Sequence, residues 1–402
     1  MDQPPLQPNT WIDVDRSALA HNIGVLRGAS QRAGGEPVLC AMVKGNAYGH
    51  GLLVASHALL EAGVHWLAVH DIFEVRALRS AGVTAPIYVV GYLPPEQARV
   101  AVQLDARFVL YDAQVLEAAA DQARAQGVVA RVHVKIETGN NRQGLRHDAA
   151  LALCRQVAKT PGAQLEGLAT HFADIEDTTD HRFANSQLER FRQTVDAIHA
   201  DLGLGERLLV HASNSAALLL WPNVVGKMAR FGIAAYGLWP SKETWLSACQ
   251  LGQAGQKSSV PVELRPALTW KTVIAQIHDV PAGEYVGYGR TWRAVRATRV
   301  AVLPIGYYDG YDRGLSNIGK VLVGGMRAPV IGRVAMNMTM IDVTDSVTAE
   351  VGSEVVLLGS QPTPDGNDGD QVSADEMAGW LGTIHYEVVT RIAEHIERRL
   401  VG

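Results

Sequence analysis

A two-part α/β chain is what the sequence predicts: an N-terminal (β/α)8 barrel followed by a C-terminal, mainly antiparallel β-domain. Three observations carry that expectation. Over the first ~240 residues, short runs rich in Val, Ile and Leu alternate with longer amphipathic stretches, as buried parallel strands alternate with covering helices. After Pro240 the runs come at shorter intervals and are broken by Gly or Pro, the texture of hairpins. No glycine-rich dinucleotide fingerprint opens a helix after the first strand, which weakens the competing doubly wound sheet.

In chain order, strands are expected near 37–44, 65–70, 86–92, 106–112, 131–137, 164–171, 207–211 and 229–236. The helices between them include 52–62, 73–81, 113–126, 148–159 and 182–202, the last charged on one face and suited to a solvated exterior. The polar, turn-rich stretch 250–266 reads as a connection. Beyond it, strands are expected at 268–278, 298–305, 320–323, 329–331, 338–343 and 354–358. An acidic loop at 362–370 precedes a helix opened by Ser373, with Asp375 and Glu376 in its first turn. The expected boundaries are 12–250 for the barrel and 251–402 for the β-domain, with residues 1–11 a candidate addition to the latter.

Composition narrows the function classes. The chain has 402 residues, 47% of them hydrophobic and 19% charged, enough apolar material for large cores and too much for disorder. A net charge of -5 offers no basic face for nucleic acid or for anionic membranes. Three widely spaced cysteines, Cys40, Cys154 and Cys249, lack metal-ligand spacing and read as buried free thiols of a reducing cytosol. The N-terminus shows no basic region before an apolar run, and no apolar run is long enough to span a bilayer. A soluble, cytoplasmic protein without a metal is expected.

Reactive residues of such a barrel sit at the C-terminal ends of its strands. Lys44 closes the first, Lys135 lies in the fifth and Arg142 follows it; His171 closes the sixth, His211 the seventh, and Arg230 opens the eighth. One such residue is usually a satisfied polar group. Six on one rim read as a site. A lysine leaving a buried strand loses basicity by desolvation and can condense with an aldehyde, and Gly45, Gly49 and Gly51 let backbone approach a ligand closely. Across the mouth, Asn214-Ser215 precedes an apolar helical run and Phe231-Gly232-Ile233 follows Arg230, so both loops can face a phosphate. Asn-Ser there is also an ordinary N-cap. A phosphorylated aldehyde is the economical ligand, and pyridoxal phosphate fits. In the second part, Gly287-Tyr288-Gly289 and Ile305-Gly306-Tyr307 read as plain hairpin turns when taken alone.

Together these motifs closely resemble bacterial alanine racemases over nearly the whole chain. The resemblance runs through residues 11–15 (WIDVD), 18–22 (ALAHN) and 41–51 (AMVKGNAYGHG), the last being the family's cofactor-lysine signature. It continues at 170–173, 214–217, 230–233, 287–289, 305–307, 332–336 and 386–387. It implies a barrel plus β-domain, pyridoxal 5'-phosphate, and a homodimer in which each site is completed by the partner's β-domain. It further implies racemisation of L- and D-alanine by two bases, supplying D-alanine for peptidoglycan. Lys44 would be the cofactor lysine and one base, and Tyr288 the other. A phenol in water titrates at about 10, and the family assists it through residues matching His171 and Arg230. Arg230 would face the pyridine nitrogen, where many such enzymes place a carboxylate; a guanidinium only donates, so it would keep that nitrogen unprotonated.

The resemblance also implies cofactor contacts for Tyr48, Asn214, Ser215, Gly232, Ile233 and Tyr386. Substrate contacts fall on Arg142 and the backbone of Met336, and an entryway on Tyr307, Arg313 and Arg333. Lys135 matches a lysine carbamylated in some members; the plainer reading is a strand lysine paired with Glu137. Two departures lie near the substrate carboxylate: Glu137-Thr-Gly-Asn-Asn-Arg142 stands where the family usually has Asp-Thr-Gly-Met-x-Arg, and Asn337 follows Met336 where it usually has Asp. The rival functions are a serine or broad-specificity racemase, a decarboxylase on the same barrel, and a non-catalytic cofactor-binding protein.

Overall fold

The computed structural model describes residues 7–31, 35–221, 224, 226–253 and 263–402. The first strand, β1 (Thr10–Asp15), lies in the sheet of the second unit described below, although the sequence places residues 12–15 with the barrel. The barrel strands are β2 (Val38–Met42), β3 (Trp66–Val69), β4 (Ile87–Val89), β5 (Ala106–Leu110), β6 (Ala130–Lys135), β7 (Ala163–Ala169), β8 (Leu209–His211) and β9 (Met228–Phe231). They form one parallel sheet in the order β8-β7-β6-β5-β4-β3-β2-β9. The ring is nearly closed: Val38 to Ala41 of β2 pair with Met228 to Phe231 of β9. Between β8 and β9 a bond from Lys227 N–H to Val210 C=O, 3.2 Å, stands in place of a ladder.

All eight expected barrel strands are present, mostly shorter than the apolar runs. The last stops at Phe231, and Ile233–Tyr236 winds into a 3-10 turn. The helices expected at 52–62, 73–81, 113–126, 148–159 and 182–202 appear as Leu52–Glu61, Ile72–Ser80, Ala113–Gln126, His147–Lys159 and Arg182–Leu202. Asp71 and Asp112 cap two of them by accepting backbone N–H bonds, and Gly127 and Gly203 end two in left-handed backbone. Among the described residues four further helices, Arg16–Gln31, Pro95–Gln103, His385–Thr390 and Lys242–Gln253, were not expected. The last overturns part of the predicted connection: residues 250–253 finish a helix that begins in the apolar-periodic stretch before them. Residues 254–262 of that connection, and residues 1–6, where the absence of a targeting segment is read, lie outside the described residues. The barrel interior packs Cys40, Trp66, Ala68, Tyr88, Val109 and Met228. Burial pushes the thiols of Cys40 and Cys154 up to about 12, whereas Cys249, expected to be buried, is exposed.

Two compact units make up the chain: residues 17–47 with 55–265, which hold the barrel, and residues 1–16, 48–54 and 266–402. The second unit contains β10 (Leu268–Val273), β11 (Gln276–Val280), β12 (Tyr285–Val286), β13 (Trp292–Arg293), β14 (Thr298–Leu303) and β15 (Lys320–Val323). It continues with β16 (Met326–Pro329), β17 (Thr339–Asp342), β18 (Glu354–Ser360), β19 (Gln371–Val372) and β20 (Glu397–Val401). One sheet runs β16-β15-β18-β10-β1-β20 with β19 beside β18, another runs β11-β14-β17, and β12-β13 is a hairpin. The run expected as one strand over 268–278 is two, broken at Ile274–Ala275, so that β10 and β11 join different sheets. Lys271 on β10 reaches Asp13 of β1 at 3.0 Å and Glu354 of β18 at 3.2 Å, tying three strands across one face. Ser373 caps the expected helix, Ala374–Leu381, by accepting from Glu376 N–H. Among the described residues no helix is long and apolar enough to cross a membrane.

Candidate active site

The barrel unit gathers its cations at one end. Val43 ends the ladder of β2 by donating to Ala68 C=O, and Lys44 follows it. The next four residues hold positive φ: Gly45 at 62°, Asn46 and Ala47 at 54°, and Tyr48 at 53°. A left-handed turn of this kind costs roughly 1–2 kcal/mol for each non-glycine residue. Its anchor is Glu74, whose carboxylate accepts from Gly45 N–H at 2.8 Å and from His70 N–H at 2.6 Å. Asp71 N–H lies 3.4 Å from the same carboxylate, completing a capping box. Burial, then the charge of Arg142, lowers the Lys44 amine below its ordinary range, and Glu74 opposes them.

Lys135 and His171 stand in the same field. Burial, then Arg230 and Arg142, holds the Lys135 amine well below the usual lysine range, against Glu137. Burial, then Lys135, Arg230, Arg142 and Lys44, holds the His171 imidazole well below its ordinary range, so it is neutral. Two guanidinium groups, two lysine amines of lowered basicity and a neutral imidazole thus face one space. The loop that carries Arg142 is pinned from below: Thr138 Oγ1 bonds Thr170 Oγ1 at 2.9 Å, Arg190 donates to Thr138 C=O, and Glu137 accepts from Gly139 N–H. Asn141 adopts φ 54°, a left-handed conformation that asparagine tolerates, which accounts physically for one of the unusual residues in this loop.

Arg230 is buried and held on three sides. Its guanidinium donates to His211 Nδ1 at 2.5 Å, to Thr170 C=O at 2.7 Å and to Ser213 C=O at 3.2 Å. Its own N–H donates to Ser213 Oγ. Ser215 Oγ accepts from Gly232 N–H at 3.0 Å and Ala234 N–H at 3.3 Å, joining the two loops expected to face a phosphate; Ile233 opens the 3-10 turn beside them. Asn214 caps Ser215–Leu220, accepting from Ala217 N–H, while its amide donates to Glu176 at 2.7 Å. His211 points inward, away from the rim, toward His133.

The other expected residues lie in the second unit. The rings of Tyr48 and Tyr386 are 6.2 Å apart. Tyr288 projects, 74% exposed, from the turn between β12 and β13, where Gly287 at φ 75° and Gly289 at φ 71° bracket it. Arg333 backs that turn: a methyl on Gly289 would lie 3.2 Å from its guanidinium carbon. Tyr307 N–H donates to Ala335 C=O and Tyr308 N–H to Met336 C=O, so the Tyr307 and Met336 loops are stitched together. Gly306 leaves the room, since a β-carbon there would meet Ala335 O at 2.1 Å. Tyr307 and Arg313 line a surface pocket of about 450 Å³ with Gly310, Asp312 and Arg391.

"Alanine racemase, N-terminal domain" matches residues 14–240, and "Alanine racemase, C-terminal domain" matches residues 267–400. The chain belongs to the alanine racemase family. An alanine racemase of Symbiobacterium thermophilum is 38% identical over 400 residues, covering 99% of this chain and 98% of that protein. One from Desulfovibrio desulfuricans is 36% identical over 389 residues, covering 96% and 97%. The crystal structure of alanine racemase from D-cycloserine-producing Streptomyces lavendulae superposes with a TM-score of 0.85 at 32% identity, covering 99% and 98%. That of the Bacillus anthracis alanine racemase with bound L-Ala-P gives 0.86 at 30% identity, covering 99% of this chain and 96% of that one. The barrel and β-domain are the alanine racemase fold, as the sequence predicts.

Three residues that hold this end and interior of the barrel together escape the sequence reading: Glu74, His133 and Glu166. His133 did leave a signal. It lies two residues before Lys135 on β6, so both project from one face of a strand whose interior side should be apolar.

Proposed function

We propose that this chain interconverts L- and D-alanine with pyridoxal 5'-phosphate at the barrel mouth, working as a homodimer in which Tyr288 of a second copy completes each site. The carrying observation is the cluster of Lys44, Lys135, Arg142 and Arg230 about His171, in which burial first and neighbouring positive charge second lower the Lys44 and Lys135 amines, an arrangement that calls for an anionic guest. The donor set suits that cofactor. A lysine amine of lowered basicity is the nucleophile an aldehyde needs. The Ser215 and Gly232 groups suit a phosphate, the role that the family resemblance gives also to Tyr48 and Tyr386. Arg230, fixed by three acceptors, suits a ring nitrogen that is to stay unprotonated.

When bound, the cofactor supplies an electron sink that makes the alanine α-proton removable. Lys44 Nζ takes or returns that proton on one face and Tyr288 Oη does so on the other, which is what inversion of a planar carbon requires. His171, kept neutral by burial and then by its cationic neighbours, can exchange a proton with the tyrosine. Arg142 and the backbone of Met336 hold the carboxylate, and Tyr307, Arg313 and Arg333 filter what enters. For Lys135 a carbamate is the favoured state. Its neutral amine adds carbon dioxide with loss of one proton, and the new negative charge offsets Arg142 and Arg230; native mass spectrometry under carbon dioxide would show the added mass. The product would serve D-alanine supply for peptidoglycan in the cytoplasm.

Optical rotation of the loaded protein with each enantiomer tests the reading. Because the enantiomers are equal in energy, kcat/KM must be the same in both directions. Lys44→Ala should abolish turnover. Asn140, Asn141 and Asn337 favour a second reading, a broader racemase, and comparable kcat/KM on serine or lysine would establish it. Carbon dioxide release from a diamino acid without racemisation would replace both with a decarboxylase. A silent loaded protein would leave only cofactor binding.

A further inference from the structure

Beneath Arg230 a chain of buried polar groups runs down the barrel interior. His211 Nε2 lies 2.7 Å from His133 Nδ1, and His133 Nε2 lies 3.1 Å from Glu166 Oε2. Both imidazoles are fully buried, flanked by Tyr88, whose ring centroid is 4.7 Å from that of His133 and 5.7 Å from that of His211. Burial holds both below the ordinary histidine range, so each is neutral and carries a single ring proton.

The donors then fall in one order. A guanidinium cannot accept, so His211 Nδ1 facing Arg230 holds a lone pair and its proton is on Nε2. That proton points at His133 Nδ1, which must accept, leaving the His133 proton on Nε2. The acceptor that closes the sequence is the carboxylate of Glu166, with Arg107 and Arg131 at 3.5 and 3.9 Å on its outer side. No other order satisfies all three contacts.

Two backbone features make room for this arrangement. Val132 pairs with Leu165 but His133 pairs with Gly167, so Glu166 is the extra residue of a bulge between β6 and β7. A bulge re-aims a side chain that a regular strand would send elsewhere. At Gly167 a β-carbon would lie 2.5 Å from His133 Nδ1 and 2.7 Å from Leu209 O, so only glycine admits the imidazole.

We infer that Glu166 is a positioning residue for Arg230, setting both histidine tautomers so that the guanidinium is held by a correctly oriented acceptor. This rests on the proposed function only for the claim that Arg230 serves the cofactor. The test is nitrogen-15 NMR of histidine-labelled protein, cofactor-loaded and cofactor-free, alongside kinetics of Glu166→Gln and Glu166→Leu. Wild type should show His133 and His211 as Nε2–H tautomers in both forms. Glu166→Gln keeps shape and guards against simple unfolding, with its thermal midpoint as the check. It should mix the tautomers and lower kcat roughly tenfold while KM for alanine stays within about threefold, as loss of outer supports does at imidazole sites. Glu166→Leu should lower kcat further. An Nδ1–H tautomer on either wild-type histidine, or wild-type kcat in both variants, overturns the inference. The tautomers are read without turnover, so a protein with the expected tautomers and no racemase activity would sink the proposed function and leave this inference standing.

Discussion

At Gly49 the β-carbon of an alanine would sit 1.9 Å from the carbonyl oxygen of Val389, in backbone of φ +83°. Arg398 fixes the same residue from its other side, donating through Nε to Gly49 C=O at 3.1 Å, with its stem against Gly51. Gly49 and Gly51 therefore serve chain packing within the second unit, beyond the close ligand approach that their sequence context suggests. Gly49→Ala should cost roughly 3 kcal/mol from overpacking and strain together, read as a lower denaturant midpoint with an unchanged slope. A variant as stable as wild type would contradict this packing. Lysine, arginine and histidine at strand ends were legible because a charged residue ending a buried strand breaks the composition rule for a core.

The helix Ile72–Ser80 and the left-handed turn after Lys44 depend on one side chain. Glu74→Ala would leave the N–H groups of Gly45 and His70 without their acceptor, at about 1–3 kcal/mol for each group that stays buried. It should lower stability and weaken pyridoxal phosphate binding together, whereas Asp71→Ala, which removes only a cap, should cost about 1 kcal/mol and spare the cofactor. Equal effects in the two variants would refute the special role of Glu74. In sequence Glu74 is merely a glutamate in a first helical turn, because its partners arrive from another strand end. The barrel strands were legible from Val, Ile and Leu runs, and so were helices with clear amphipathic periods. Arg16–Gln31 and Pro95–Gln103 were missed. Lys242–Gln253 was also missed, since its polar end resembles a linker. Glu166 was hidden for a related reason: alternation along β7 says which face it takes only if no bulge intervenes.

For the whole molecule, the buried histidines set a dependence on pH. His133, His171 and His211 each titrate below 6.5 when folded, mainly through burial. As pH falls through 6.5 the unfolded chain takes up protons that the folded chain refuses, so stability is lost in that window. Lys44 and Lys135 extend the same sign upward, since their folded values lie below 10.5 and stability from them grows with pH toward it. Thermal midpoints should fall as pH drops below 6.5, and less steeply in His171→Gln; parallel curves for the two proteins would contradict the assignment. Cofactor on Lys44 should flatten the upper part of the profile.

The central claim is that two bases, one from each of two copies, act on opposite faces of one carbon. Exchange of the α-hydrogen of L-alanine in D2O, followed together with optical rotation for wild type and Tyr288→Phe, tests it most directly. Deuterium entering as rotation is lost, with L-alanine turnover severely reduced in the variant, is the predicted result. Exchange with retained configuration, or a Tyr288→Phe enzyme that racemises like wild type, would contradict it.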